Sequence, residues 1–395
     1  MKDSTYQNVC TFLLGFATLL KFIGLDMSIF TVESVLHSSY IRDNSTIINH
    51  AGYYGQALKE MTACLSTFIT PMIVGNLTPK VIIVPTPQIA PLYIGSLFII
   101  NNFLYFIGSA LLGFYFTLNY TAFSTYQMEF STRDKLARNS SRTWGLANMR
   151  FLIGGGILYI VSTSTSSDQS ESTAHYRYYS EAEARVMYGI FFLLSIISLI
   201  MHCFLPTRQI ENSVASENPH DVLSPIQHFK AQCAIIIDPS LLILIPRFLN
   251  VGLFGKFFMN IYPTAIQYST ILSKNNTILM AYYAFSMCIG GIVSGLLIGP
   301  LNKRFKDFGL KPLYYISISV QLIIFILAYL TVPKWSTARP TSASAIIEPH
   351  TIWVVIISIL IGVADTSNVS SNAVLCSRLI KGKASHTYTA TRFYI

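Results

Sequence analysis

The sequence predicts an all-α protein that crosses a membrane many times. Three observations carry that expectation. Of 395 residues, 52% are hydrophobic and only 11% are charged; a soluble domain has about a quarter of its residues charged, so this chain has too few to coat a water-facing surface. The mean hydropathy is +0.49. Apolar runs of membrane-crossing length recur along the chain, and hydrocarbon about 30 Å thick takes roughly 20 apolar residues per span, because every backbone amide must be satisfied within the helix.

Ten runs qualify, at 9–31, 51–75, 81–100, 101–123, 143–164, 184–206, 240–262, 277–300, 312–332 and 351–375. Lys59 and Glu60 interrupt the second, and Pro85, Pro87 and Pro91 the third. The closing "SHTYTATRFYI" reads as the first turns of an eleventh span, so the expected bundle is incomplete at its C-terminus.

Net charge is +9. A nucleic-acid partner could account for it, but basic residues also orient polytopic proteins by remaining on the cytosolic side. With the N-terminus inside, cytosolic segments hold 16 Lys/Arg and outer segments six, with five more in spans or at the end of the chain. That bias predicts a cytosolic N-terminus, a multi-pass membrane location with the plasma membrane preferred, lipid contact and no nucleic-acid partner. The first apolar run is long enough to span and lacks a small-residue cleavage site, so no signal peptide is expected. The six cysteines (Cys10, Cys64, Cys203, Cys233, Cys288 and Cys376) fall in spans or on the cytosolic side and imply neither disulfides nor a metal site. Asn44 of "NST", in the first outer loop, is a candidate glycan acceptor; Asn275 of "NNT" lies close to the membrane.

A repeat relates two distant spans. "SALLGFYFTLN" (109–119) and "SILIGVADTSN" (358–368) share Ser, Leu, Gly and Asn in one register, six helices apart, and "GNLTPK" (75–80) is echoed by "GPLNKR" (299–304). Two six-helix halves explain both echoes, and such parallel halves are the architecture of the major facilitator superfamily. "GLLIGPLNKRFKDFGLK" (295–311), with Gly295, Gly299, Lys303 and Arg304, resembles that superfamily's basic loop signature, except that Gly299 stands where an acid is expected. The departure weighs against an ordinary transport cycle. "HAGYYGQALKEMTACLSTFITPMIV" (50–74), the 105–146 stretch ending in "SSRTWGL", and "DPSLLILIPRFLNVGLFGKFFMNIYPTAI" (238–266) resemble the Unc-ninety-three-like family of ion-channel regulatory proteins over nearly the whole chain. The resemblance implies a transporter-like bundle that regulates or escorts another membrane protein, such as a potassium channel. The expected organisation is an N-terminal half at 1–206, a cytosolic linker at 207–239 that is polar and flexible, and a shortened C-terminal half at 240–395.

Ionisable groups inside a membrane usually face a bundle interior or a wet cavity. Seven are expected here: Lys21, Asp26, Lys59, Glu60, Arg247, Lys256 and Asp365. In a major-facilitator arrangement five of them lie on the cavity-lining first, seventh and tenth spans. Asp365, Asn368 and Asn372 are spaced i, i+3, i+7 and share a helix stripe, so the stripe can face inward, with Asn119 opposite. By sign, Lys21 and Lys256 are the expected partners of Asp365. The set Lys21, Asp26, Asn119, Lys256, Asp365, Asn368 and Asn372 is thus a candidate solute or ion site, against the alternative of polar glue between helices. Lys59 and Glu60 read as an edge pair snorkelling outward, and Arg247 as an interfacial anchor. Gly291, Gly295 and Gly299 read as helix packing. The basic segment 129–150 reads as a cytosolic loop. The eight histidines form no metal or catalytic constellation, so neither enzyme nor cofactor is expected. The leading functional expectation is a regulatory or escort subunit; its rival is a secondary transporter, proton-coupled through Asp365.

Overall fold

The computed structural model describes residues 2–84, 89–132, 135–165, 176–208, 210–217, 224–273, 278–305, 308, 311–379 and 384–395. The helices follow the apolar runs, and their ends follow the capping residues. In the first half they are α1 (Asp3–Arg42), α2 (Ala51–Asn76), α3 (Pro79–Ile83), α4 (Ile89–Phe98), α5 (Asn102–Phe130), α6 (Leu136–Asn148), α7 (Arg150–Thr165) and α8 (Glu181–Cys203). The joining segment carries α9 (Val214–Glu217) and α10 (Pro225–Ile236). The second half holds α11 (Pro239–Leu242), α12 (Ile245–Lys256), a π-helical turn (Phe257–Ile261), α13 (Tyr262–Tyr268), α14 (Thr270–Ser273), α15 (Leu279–Arg304), α16 (Lys311–Thr331), α17 (Thr351–Leu379) and α18 (Ala384–Tyr394). Asn101 and Ser180 cap α5 and α8 by accepting from their first free amides.

Among the described residues, eight helical segments are long and apolar enough to cross a membrane. The other two expected spans are interrupted. Residues 81–100 divide into α3 and α4, and the prolines Pro85 and Pro87 lie outside the described residues. Residues 240–262 become α11, α12 and the π-turn, with Pro239, Pro246 and Pro263 each opening a new helical piece. The π-turn follows from hydrogen-bond supply. The Tyr262 amide bonds to Phe257 O, which orphans Phe258 O, and the Tyr283 hydroxyl donates to that carbonyl at 2.5 Å.

Three further expectations need correction. The segment 129–150 is mostly helix: α6 and α7 meet at Met149, and together Arg138–Ser164 forms one apolar span. The joining segment is not flexible throughout, because α10 opens with a Ser224–Gln227 capping box and packs on α2 and α18. Gly295, Gly299, Lys303 and Arg304 lie within α15 rather than in a loop, and among the described residues none lies within 4 Å of a Cβ placed at Gly295.

Within each half one helix pair is especially close. A Cβ at Gly113 of α5 would overlap the Lys59 carbonyl oxygen of α2, and one at Gly362 of α17 would overlap the Met287 carbonyl oxygen of α15. Small residues allow such approach, which supplies the dispersion contact that holds helices together in lipid. Gly113 and Gly362 are the glycine shared by the two copies of the sequence repeat. Across the halves, α1 packs against α13 and the π-turn, α7 against α15, and α2 against α18. The largest apolar core cluster accordingly draws from both halves, from Phe22 and Met27 through Tyr283 and Ile361.

Candidate functional site

The polar residues meet in three groups along the boundary between the halves. The first belongs to α1. Lys21, only 1% exposed, donates from Nζ to Asn119 Oδ1 of α5 at 2.7 Å. Five residues on, Asp26 accepts from Arg150 Nε at 2.5 Å. Arg150 begins α7 just after the Met149 break, and its guanidinium lies 4.3 Å from the Phe151 ring centre and donates to Asn148 Oδ1 at 2.7 Å. A buried charge survives where such a partner set replaces its hydration.

The second group crosses the boundary. Glu60 Oε1 of α2 lies 2.6 Å from Lys256 Nζ of α12 and 3.0 Å from Lys59 Nζ. The side chains of Glu60 and Lys256 remain 36% and 38% accessible while other helices surround them, so they border a space that admits water. Lys59 and Glu60 are therefore not an outward-snorkelling pair: Lys59 is buried, and both work in one cluster with Lys256. Arg247 is likewise no interfacial anchor. It is 9% exposed, donates to Ser371 Oγ of α17 at 2.6 Å and stacks 4.2 Å over Tyr314 of α16.

The third group closes the end of the bundle remote from the N-terminus, called the far end below. Glu33, buried on α1, accepts from the Tyr53 amide at 3.1 Å and the Tyr268 hydroxyl at 3.3 Å, and faces His50 Nδ1 at 3.2 Å. Gly52 makes room, since a Cβ there would overlap Glu33, and Gly55 seats Tyr105 in the same way. His50 turns the chain into α2 at φ 58°, a left-handed conformation open to few side-chain types. The "HAGYYGQ" stretch is thus the socket for a buried acid. Beside it, Gln267 donates to Phe30 O at 3.0 Å and accepts from the Tyr179 hydroxyl at 2.8 Å, and Tyr53 donates to Thr337 O at 2.5 Å. Burial pushes the Tyr179 phenol up to about 12, so it remains a donor at any physiological pH. Arg177 pairs with Glu183 in the same region.

The expected stripe on α17 does not act as a unit. Asp365 is half-buried, and among the described residues it makes no ion pair; Arg150 and Asp26 are the charges that act on it, so neither Lys21 nor Lys256 is its partner. Asn368 turns away from Asp365 toward α16, where Ser317 donates to its Oδ1 at 2.9 Å. Gln321 donates to Ser317 Oγ at 3.0 Å and Asn250 to Gln321 Oε1 at 2.9 Å, a chain that ties α12, α16 and α17 together. Asn372 is half-buried and, among the described residues, its Oδ1 finds no hydrogen-bond donor. Asn119, expected opposite this stripe, is engaged with Lys21.

Sequence reasoning missed Arg150, which it counted as a loop cation, and Glu33, which it left beyond the first span. One signal was available for Glu33: it follows Asp26 by seven residues and so shares its helix stripe. Asn44 sits exposed in the turn after α1, where Ser45 donates to the Asp43 carboxylate from its amide and its hydroxyl and holds that carboxyl below its usual range.

Residues 43–395 match the family model for the ion channel regulatory protein UNC-93. The chain belongs to the UNC-93 family. It is 20% identical to the UNC93-like protein MFSD11 of Xenopus tropicalis over 370 residues, which is 90% of this chain and 80% of that protein. The Xenopus laevis MFSD11 is 19% identical over the same shares. Among solved structures, this UNC-93 family chain resembles the major facilitator transporter FucP in its outward conformation, with a TM-score of 0.62 at 11% identity, covering 98% of this chain and 89% of that one. The nucleoside transporter NupG gives a TM-score of 0.58 at 14% identity over 98% and 87%, and the xylose transporter XylE of E. coli gives 0.57 at 13% over 98% and 89%. At such identities the likeness establishes the fold: an all-helical major-facilitator bundle in a multi-pass membrane protein.

Proposed function

We propose that this UNC-93 family chain is a regulatory or escort subunit of another membrane protein, with an ion channel as the partner class in keeping with the family description and a potassium channel as our candidate within it. The observation that carries the proposal is that its intramembrane polar groups are spent on holding the protein together. Six of the seven ionisable groups expected in the membrane bond to protein partners, Lys256–Glu60 across the halves. Opening the far end by rocking the halves would break Lys256–Glu60, Tyr268–Glu33, Gln267–Phe30 and Tyr53–Thr337. Of these, Tyr268–Glu33 and Gln267–Phe30 are buried; at an average of about 0.6 kcal/mol per buried polar bond in a membrane, the two favour the closed arrangement by about 1.2 kcal/mol, roughly eightfold. A bundle held shut suits a partner-binding scaffold better than a carrier. In this reading residues 1–206 and 240–395 are the two halves, 207–239 joins them, the N-terminus is cytosolic and the plasma membrane hosts the complex. The test is co-expression with two-pore potassium channels: the channel current or surface density changes severalfold with the correct partner, and no change with any member of the channel class contradicts the proposal.

Asp365 favours a second reading, proton-coupled secondary transport. It is the intramembrane acid left without an ion-pair partner among the described residues, and such a group can exchange a proton as the halves move. Vesicle uptake that depends on pH and is lost in Asp365→Asn supports that reading; uptake unchanged in the variant removes Asp365 from it.

A further inference from the structure

Near the far end, the π-turn, α13 and α16 enclose a groove of about 530 Å³, roofed by the loop that follows α16. That volume lies within the range of pockets holding small organic ligands. The groove meets the far-end polar group at Thr337, whose carbonyl accepts from Tyr53, and it is open to the outside: Tyr329 on its lip is 75% exposed and Ile346 65%. Its walls are aromatic. Phe257 packs edge-on to Phe325 at 5.0 Å and stacks with Tyr262 at 5.6 Å, so the rings hold one another in fixed planes. Phe257 and Ile261 belong to the π-helical turn, an irregularity frequent at functional sites. Small residues, Ala265 and Ala328, leave the floor open. Polar groups occur at one edge, where the loop contributes Lys334, Thr337 and Ser344.

We propose that this groove is a binding site for a sterol-type lipid, a rigid apolar ring system carrying one hydroxyl. Flat, fixed aromatic walls favour a flat, rigid occupant, which loses little conformational freedom on binding, whereas an acyl chain loses many rotamers. The single polar edge matches a single hydroxyl. A phosphodiester head group would call for more charge than Lys334 offers there, since the neighbouring Arg339 guanidinium lies over the Trp335 ring at 5.6 Å. The sequence is consistent with this occupant. Leu327, Tyr329 and Lys334 in "LAYLTVPK" (327–334) follow a short pattern associated with cholesterol contact. That pattern is weak by itself, and it gains weight here because Tyr329 and Lys334 line the same groove.

The experiment uses the full chain in phosphatidylcholine nanodiscs with photoactivatable cholesterol, the adducts being mapped by mass spectrometry. The proposal expects adducts concentrated on peptides covering 257–265 and 325–334, suppressed by unlabelled cholesterol, and lowered at least fivefold by Ala328→Phe, which fills the floor. Should that variant not fold, the adduct map and the competition in the unaltered protein decide, together with the exposed change Lys334→Gln, which should weaken labelling. Adducts spread evenly over the lipid-facing helices, labelling that unlabelled cholesterol does not suppress, or full labelling of a folded Ala328→Phe protein would each overturn it.

Discussion

Lys21, Asp26 and Lys59 lie within lipid-length helices because each has a protein partner that replaces water. Removing one partner of such a pair leaves an uncompensated buried charge, at a cost of about 3–5 kcal/mol. Asp26→Asn should therefore destabilise the protein by that order, seen as a lower midpoint of thermal unfolding in detergent. Replacing Arg150 with Met in the same chain should recover much of the loss, and equal midpoints for all three proteins would refute the pairing. These ionisable residues were legible in the sequence as anomalies in apolar runs. Their partners were not: the pairing of Lys21 with Asn119 spans 98 positions, and that of Lys256 with Glu60 joins helices from different halves. Charge sign alone nominated Lys21 and Lys256 for Asp365, and packing assigned both elsewhere. At Asn44, glycosylation would place the far end outside the cytosol. A size shift removed by glycosidase, and absent in Asn44→Gln, is the outcome expected from the charge bias; no shift at Asn44 together with glycosylation of an acceptor sequon placed before α1 would reverse the topology.

At the scale of elements, the repeat on α5 and α17 was readable from sequence, and its physical content lay in its glycine. Gly113 and Gly362 each meet a neighbouring backbone carbonyl, so Gly113→Ala and Gly362→Ala should both cut the yield of monodisperse protein severalfold in size-exclusion chromatography. Gly295→Ala should not, because its Cβ would meet open space. Equal yields from all three would show that these glycines do not set the helix spacing. The glycine ladder on α15 was legible as a pattern, yet the close contact there is made by Gly290, against Ile359 O; which face of a helix meets its neighbour depends on rotation, which spacing alone leaves open. Pro246 and Pro263 mark the breaks in α12–α13, but the carbonyl that the π-turn frees is met by Tyr283, a residue on another helix.

For the whole molecule, the sequence pattern was sufficient for an all-helical bundle of two related halves, because lipid-length apolar runs leave helices as the main solution. How the halves meet was not readable, since it rests on single side chains from α2, α12 and α13. The central claim is that Glu60 and Lys256 join the two halves inside the membrane. Charge exchange tests it most directly, with unfolding midpoints measured for Glu60→Lys, Lys256→Glu and the two combined. The account predicts that each single change lowers the midpoint and that the combination restores most of the loss. Single variants as stable as the unaltered protein, or a combination no better than the worse single change, would contradict it.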